Sequence, residues 1–153
     1  MIDTTKGFTL TRVLDTTPEE VWKAWTDADE AAQWWHPRDL VTPRESVRID
    51  ARVGGEYAYT MVNETDGEEY PTGGVYREVE PLRRLVFTWG DPSADPDDTP
   101  VVTVTIDDLG ELTRLTFDLR GVDGVSGDDE FYDGWDSALD QLVEHLGQTA
   151  VHG

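Results

Sequence analysis

The 153-residue chain contains no cysteine. That excludes a disulfide framework, a thiol nucleophile and a thiolate metal site. Long apolar runs are missing too. None approaches the ~20 residues of a membrane span, and the N-terminus lacks the charged-then-apolar pattern of a signal peptide. Positive charge is scarce: 12 Lys and Arg stand against 33 Asp and Glu, a formal net charge of −21. Lys6 and Lys23 are the only lysines. A field of this sign repels nucleic acid and anionic membrane surfaces, so neither is an expected partner. The expected location is the cytoplasm. The carboxylate excess reads either as a generally acidic background or as adaptation to a salt-rich cytoplasm, where self-repulsion is screened.

Motifs for several chemistries are also lacking. The acidic run Asp95-Pro96-Asp97-Asp98 has neither the glycine nor the distal glutamate of a calcium loop. No serine sits in Gly-x-Ser-x-Gly, and Gly54-Gly55 and Gly73-Gly74 lack phosphate-binding spacing. The two glycine pairs read instead as a turn and as a bulge or close approach in a curved sheet. No metal and no cofactor is therefore expected.

What is present is most concentrated between Thr16 and Trp35, which holds four of the six tryptophans. Thr17 reads as an N-cap, with Pro18 at the first helical position and Glu20 three residues after the cap. Val21, Trp22 and Trp25 form the apolar face. Asp27 ends this helix and caps a second, with Glu30 in the matching place, and Pro37 stops that helix near Trp35. Two helices this short need a surface to cover.

A strand over Gly7–Asp15 precedes them, alternating Phe8, Leu10, Arg12 and Leu14 with Thr9, Thr11 and Val13. After Leu40 the period is two. Strands are expected over Ser46–Asp50, Glu56–Glu64, Gly74–Glu80, Leu85–Trp89, Val101–Ile106 and Leu112–Leu119, with Tyr57, Tyr59 and Met61 sharing one face. Ser126 and Asp129 would cap a final helix that runs to about Gly147. Phe131, Trp135, Ala138, Leu139, Leu142 and Leu146 lie on one stripe of it. The order predicts an α+β domain over residues 1–153 with its core at about 7–147. A curved antiparallel sheet of six or seven strands wraps a long C-terminal helix, and the short helix pair closes one end.

The ordered set Thr16-Thr17-Pro18-Glu19-Glu20-Val21-Trp22, Trp34-Trp35, Val53-Gly54-Gly55-Glu56-Tyr57, Gly74-Val75-Tyr76, Pro81 with Leu85-Val86-Phe87-Thr88-Trp89, and Gly134-Trp135 resembles the heat shock protein 90 ATPase activator-like branch of the START / SRPBCC superfamily. This is the helix-grip or Bet v 1-like fold. The resemblance spans roughly residues 7–147. It implies a cavity for an apolar or aromatic small molecule and implies no particular reaction. Chaperone-activating members carry an additional N-terminal chaperone-binding domain, which is not expected here because the first strand begins at Gly7.

Candidate cavity residues are Trp35, His36, Glu56, Tyr57, Tyr59, Tyr76, Trp89, Phe117, Phe131, Trp135 and Leu139. For each aromatic, plain core packing competes with cavity lining. His36 reads as a loop residue or as a titrating pocket residue. His145 near a helix end reads as a dipole partner, and His152 in the tail as inert. Arg12 and Glu56 either face inward, where they could pair with each other or hold a ligand, or sit at strand ends in water. Three functions follow. The first is a binding protein, monomeric or homodimeric, for a hydrophobic small molecule. The second is a cyclase, dehydratase or hydrolase using His36, Glu56 or a pocket tyrosine as acid or base, with no catalytic residue assigned. The third is a chaperone- or stress-associated accessory, which needs an exposed apolar patch.

Overall fold

A computed structural model describes residues 5–37, 40–90, 95, 98–122, 124, 127 and 131–146. The expected caps Ser126 and Asp129, the stop at Gly147, the tail with His152 and part of the acidic loop lie outside the described residues.

Seven strands form one antiparallel sheet: β1 (Gly7–Leu14), β2 (Arg48–Ile49), β3 (Glu56–Val62), β4 (Glu69–Glu80), β5 (Arg84–Thr88), β6 (Val101–Asp108) and β7 (Thr113–Arg120), in spatial order β1-β7-β6-β5-β4-β3-β2. The two helices α1 (Pro18–Thr26) and α2 (Ala28–Trp34) follow β1, and α3 (Phe131–His145) ends the chain. This is the helix-grip arrangement that the order of elements predicts. Among the described residues no helix is long and apolar enough to cross a membrane.

The alternation read from the sequence sets the faces. Phe8, Leu10 and Leu14 of β1, Leu115, Phe117 and Leu119 of β7, and Val102, Val104 and Ile106 of β6 are all buried. They meet Trp135, Ala138, Leu139 and Leu142 of α3 in one hydrophobic core. The caps form as expected. The Thr17 side chain accepts from the Glu20 N–H, and Asp27 accepts from Asp29 and Glu30 N–H groups. The buried face of α1 is Val21, Ala24 and Trp25, with Trp22 half-buried. Glu30 has a second role that its spacing from Asp27 did not suggest. Its carboxylate lies 2.9 Å from His145 Nε2, which ties α2 to the end of α3.

Two expectations need correction. Arg12 and Glu56 do not pair. Arg12 reaches from β1 to Asp136 and, at 3.2 Å, to Asp140 on α3, whereas Glu56 is exposed at the start of β3. Arg12 shares its strand face with core residues, but its length carries the guanidinium to the carboxylates on the helix flank, where water still reaches. The second strand is also shorter than expected and the fourth longer. The chain enters β2 through a 3-10 turn at Arg44–Ser46, and β4 begins at Glu69 and includes Pro71. Proline is tolerated there because Pro71 is paired with Thr60 of β3 and with no described strand on its other side; beyond it Gly73 bridges Gly90, and β5 pairs only with Tyr76–Glu80.

The curvature has a visible cause. A Cβ on Gly74 would lie 1.9 Å from the Thr88 carbonyl oxygen, so no side chain fits where β4 crosses the end of β5. Val75 N–H donates to Thr88 Oγ1 at 2.9 Å, and the register shifts between Tyr76 and Glu78. This close approach followed by a bulge is the device by which sheets bend.

Candidate functional site

The bend leaves a pocket of about 460 Å³ between the sheet, the end of α2 and the first half of α3. Its wall is built from five segments. Trp35, His36, Pro37 and Leu40 come from the chain leaving α2. Tyr59 and Met61 come from β3, with Tyr70 from β4 and Trp89 from the end of β5. Phe131, Gly134, Trp135 and Ala138 come from α3.

Helix termination places the first group. Trp35 N–H still bonds the Ala31 carbonyl at 2.9 Å, but its ψ of 63° has left the helical region. Pro37 prevents a return. Trp35 then stacks on Tyr59, with centroids 4.1 Å apart, and on Tyr57 at 5.3 Å. Its neighbour Trp34 lies beside it, with centroids 6.0 Å apart, but bonds differently. Its indole donates to the Ala24 carbonyl at 2.9 Å and meets Trp25 edge-on at 4.7 Å. Adjacent tryptophans thus divide the work: Trp34 locks α2 to α1 and Trp35 lines the pocket.

Trp89 forms the facing corner. It meets Trp135 at 5.3 Å and Phe131 at 5.8 Å, both edge-on. Its indole N–H donates to the Tyr59 hydroxyl at 2.9 Å, linking two walls. Phe131 and Tyr70 are partly exposed, at 39% and 42%, and mark the mouth.

Five of the expected site residues do not line the pocket. Glu56 is exposed. Tyr57 is a core residue whose hydroxyl donates to the Thr88 carbonyl at 2.6 Å under a cover of Trp35 and Phe87. Tyr76 and Phe117 are buried at 1% and 0%. Phe117 is held by Trp135 at 4.4 Å. Leu139 is fully buried, one residue past the lining Ala138, because one helical step turns its side chain toward the sheet. The pocket brings the other six together: Trp35, His36, Tyr59, Trp89, Phe131 and Trp135.

Sequence reasoning missed Pro37, Leu40, Met61, Tyr70, Gly134 and Ala138. For Met61 a signal existed, since it continues the face of Tyr57 and Tyr59. For Gly134 the signal was a glycine within the apolar stripe of a helix, a space where a side chain would stand.

Among the described residues the wall carries no charged side chain. The indole nitrogens of Trp35 and Trp135 are buried with no partner among the described residues, so these rings give the pocket carbon surface. The polar features are the Tyr59 and Tyr70 hydroxyls and the His36 imidazole. Burial pushes the Tyr59 and Tyr57 hydroxyls above the ordinary tyrosine range, so both stay protonated at neutral pH. Tyr76 shifts the same way, by burial first and then by the charge of Asp50. Burial lowers the pKa of His36 from its usual 6.5, which keeps it neutral. No cluster of metal-ligating side chains occurs among the described residues.

A curled antiparallel sheet gripping a C-terminal helix, with a pocket at the short-helix end, defines the helix-grip class of the START / SRPBCC superfamily. Within it the chain belongs to the family described as Activator of Hsp90 ATPase homolog 1-like protein, whose pattern matches residues 15–147. Solved structures agree. Protein CV1439 from Chromobacterium violaceum is 29% identical with a TM-score of 0.78, covering 92% of this chain and 97% of that one. The AHSA1 (SPO3351) protein from Silicibacter pomeroyi is 28% identical with a TM-score of 0.73, covering 96% and 99%. Protein NE0264 from Nitrosomonas europaea, at 24% identity and a TM-score of 0.78 over 98% and 99%, shares the fold. No curated protein matches the sequence.

Proposed function

We propose that this protein binds an uncharged apolar or aromatic small molecule in the pocket between the sheet and α3. The observation that carries the reading is the pocket itself. A volume of about 460 Å³ walled by indole, phenyl and aliphatic carbon, with a few polar atoms and no charged side chain among the described residues, has the size and make-up of small-molecule sites. The negative charge of the chain, −21, argues for this partner over nucleic acid or an anionic membrane, and a cytoplasmic setting is part of the same proposal.

Native mass spectrometry of protein purified from its own host tests it. A retained small molecule is expected, and it should be lost from a Gly134→Leu variant that fills the pocket. A chain that carries nothing, and that takes up no apolar probe at millimolar concentration, overturns the reading.

The enzyme reading rests on one specific observation, the imidazole of His36 and the hydroxyl of Tyr59 in the same wall. It loses its carboxylate, because Glu56 is exposed on the sheet. Turnover of a hydrophobic substrate that stops in His36→Phe would favour it.

A further inference from the structure

The hydrogen bonds around His36 determine which of its two nitrogens carries the proton. Thr42 Oγ1 lies 2.8 Å from the Trp35 carbonyl oxygen, which can only accept, so the single hydroxyl proton of Thr42 is committed there. The same Oγ1 lies 3.1 Å from His36 Nδ1. With its proton used, Thr42 can only accept from the imidazole, and Nδ1 must be the nitrogen that bears hydrogen. In the neutral ring Nε2 is then a bare lone pair.

The surroundings favour that neutral ring. Among the described residues the wall of the pocket holds no carboxylate to stabilise an imidazolium, and its other titratable groups are Tyr59 and Tyr70. Nε2 makes no hydrogen bond among the described residues. It is also not sealed off like the unpartnered indole nitrogens of Trp25, Trp35 and Trp135. The residue that carries it lines the pocket. A ligand that fills the pocket would therefore cover an acceptor that needs a donor, and leaving such a group unpaired is costly.

We propose that the ligand is an uncharged aromatic or alicyclic compound bearing a hydroxyl group, and that this hydroxyl donates its hydrogen bond to His36 Nε2. The inference rests on the small-molecule reading above and deepens it. The chain Trp35 carbonyl, Thr42 hydroxyl, His36 Nδ1 orients the ring, and Nε2 selects the ligand's polar end. An apolar wall with one fixed acceptor discriminates against two neighbours of such a ligand. An ether of the same shape cannot donate, and a carboxylate would bring a charge that no described residue of the wall balances.

The test uses three probes on one scaffold, at a pH above the ordinary histidine range: naphthol, methoxynaphthalene and naphthoate, titrated by ligand-observed NMR. Wild-type protein should bind naphthol at least about tenfold more tightly than the ether or the carboxylate. In His36→Phe that preference should fall to within about twofold, while all three still bind. Equal binding of naphthol and the ether by wild-type protein overturns the hydroxyl assignment and leaves the pocket reading intact. Naphthoate binding as well as naphthol overturns it too, because it requires His36 to donate. Failure of all three probes to bind removes the pocket reading and this inference with it. A measurement on the wild-type chain without ligand stands apart from these. Two-bond nitrogen–proton correlation of the imidazole should show the Nδ1–H tautomer, and an Nε2–H tautomer overturns the proposal whatever the probes do.

Discussion

The aromatic interior has two ends made of the same materials and put to opposite uses. At the closed end Trp25 stacks at 6.4 Å on both Phe117 and Trp135, Trp34 meets Trp25 at 4.7 Å, and Tyr57 and Tyr76 close on Phe87. At the open end Trp35, Tyr59, Trp89, Phe131 and Trp135 stand around a space of about 460 Å³. Ring chemistry does not separate the two groups. What separates them is whether a facing element supplies a side chain. Against Phe117 the helix sets Trp135. To the pocket that Tyr59 and Met61 line it contributes the small residues Gly134 and Ala138. Trp135 belongs to both ends, and this is how a filled core and an empty pocket share one wall.

The sharpest way to break this comparison is to truncate one ring from each end. Trp25→Ala should cost about 3–5 kcal/mol in urea unfolding, since it leaves a large cavity among fixed neighbours. Phe131→Ala, partly exposed at the mouth, should cost less than about 1 kcal/mol. Similar costs would show that the open end is as tightly packed as the closed one.

The next largest effect is expected where the sheet bends between the two ends. Gly74→Ala must move the Thr88 carbonyl, which also receives the Tyr57 hydroxyl. A loss of about 3 kcal/mol is expected in the same assay, and an unchanged midpoint would remove the close approach as the cause of the curvature.

A matched pair of tyrosines comes next. Tyr59→Phe strands the Trp89 indole N–H and should cost about 1–2 kcal/mol. Tyr57→Phe strands the Thr88 carbonyl at the closed end, and a similar cost is expected. The two should differ in apolar-probe affinity, which only the Tyr59 change should alter.

Gly134→Leu should leave stability unchanged or raise it by about 0.5 kcal/mol, because glycine is a poor helix former. The nearest atom to an added Cβ outside the helix is Pro37 Cγ at 4.0 Å. The expected loss is of probe binding. Unfolding of this variant would mean that the space is not available.

The smallest effect concerns pH. Burial lowers the pKa of His36 in the folded chain below its usual 6.5. Above 6.5 both folded and unfolded forms are neutral and the group contributes no pH dependence. As the pH falls through 6.5 the unfolded chain takes up the proton first, so stability declines until the folded pKa is passed. Urea midpoints at neutral and mildly acid pH should therefore converge in His36→Phe relative to wild type, and an identical acid slope in both would contradict the burial of this imidazole.

Much of the fold was legible in the order of residues. Thr17-Pro18 with Glu20, and Asp27 with its following N–H groups, mark the starts of two helices by local hydrogen bonding that needs no tertiary partner. Alternation in β1, β6 and β7 marks a buried face by the same local rule. The site was half legible. Trp35 and His36 could be placed near the rim because Pro37 must end the helix. Tyr57 and Tyr59 could not be told apart, since both occupy one face of β3 and differ in what crosses above them. Glu56 looked able to face inward from its strand, yet it stands exposed at the first residue of β3. Arg12 shared a core face, yet its partners Asp136 and Asp140 lie far along the chain on α3.

The sequence by itself determined where helices begin and end, which strand faces are apolar, the family, and a charge that repels polyanions. These follow from contacts within a few residues or from composition. The tertiary structure alone decided which aromatics became core and which became wall, that Thr42 Oγ1 would sit between the Trp35 carbonyl and His36 Nδ1, and that Gly134 would stand beside Pro37 in the pocket wall. These depend on which surfaces the bend at Gly74 and Thr88 brings together, and distance along the chain carries no record of that.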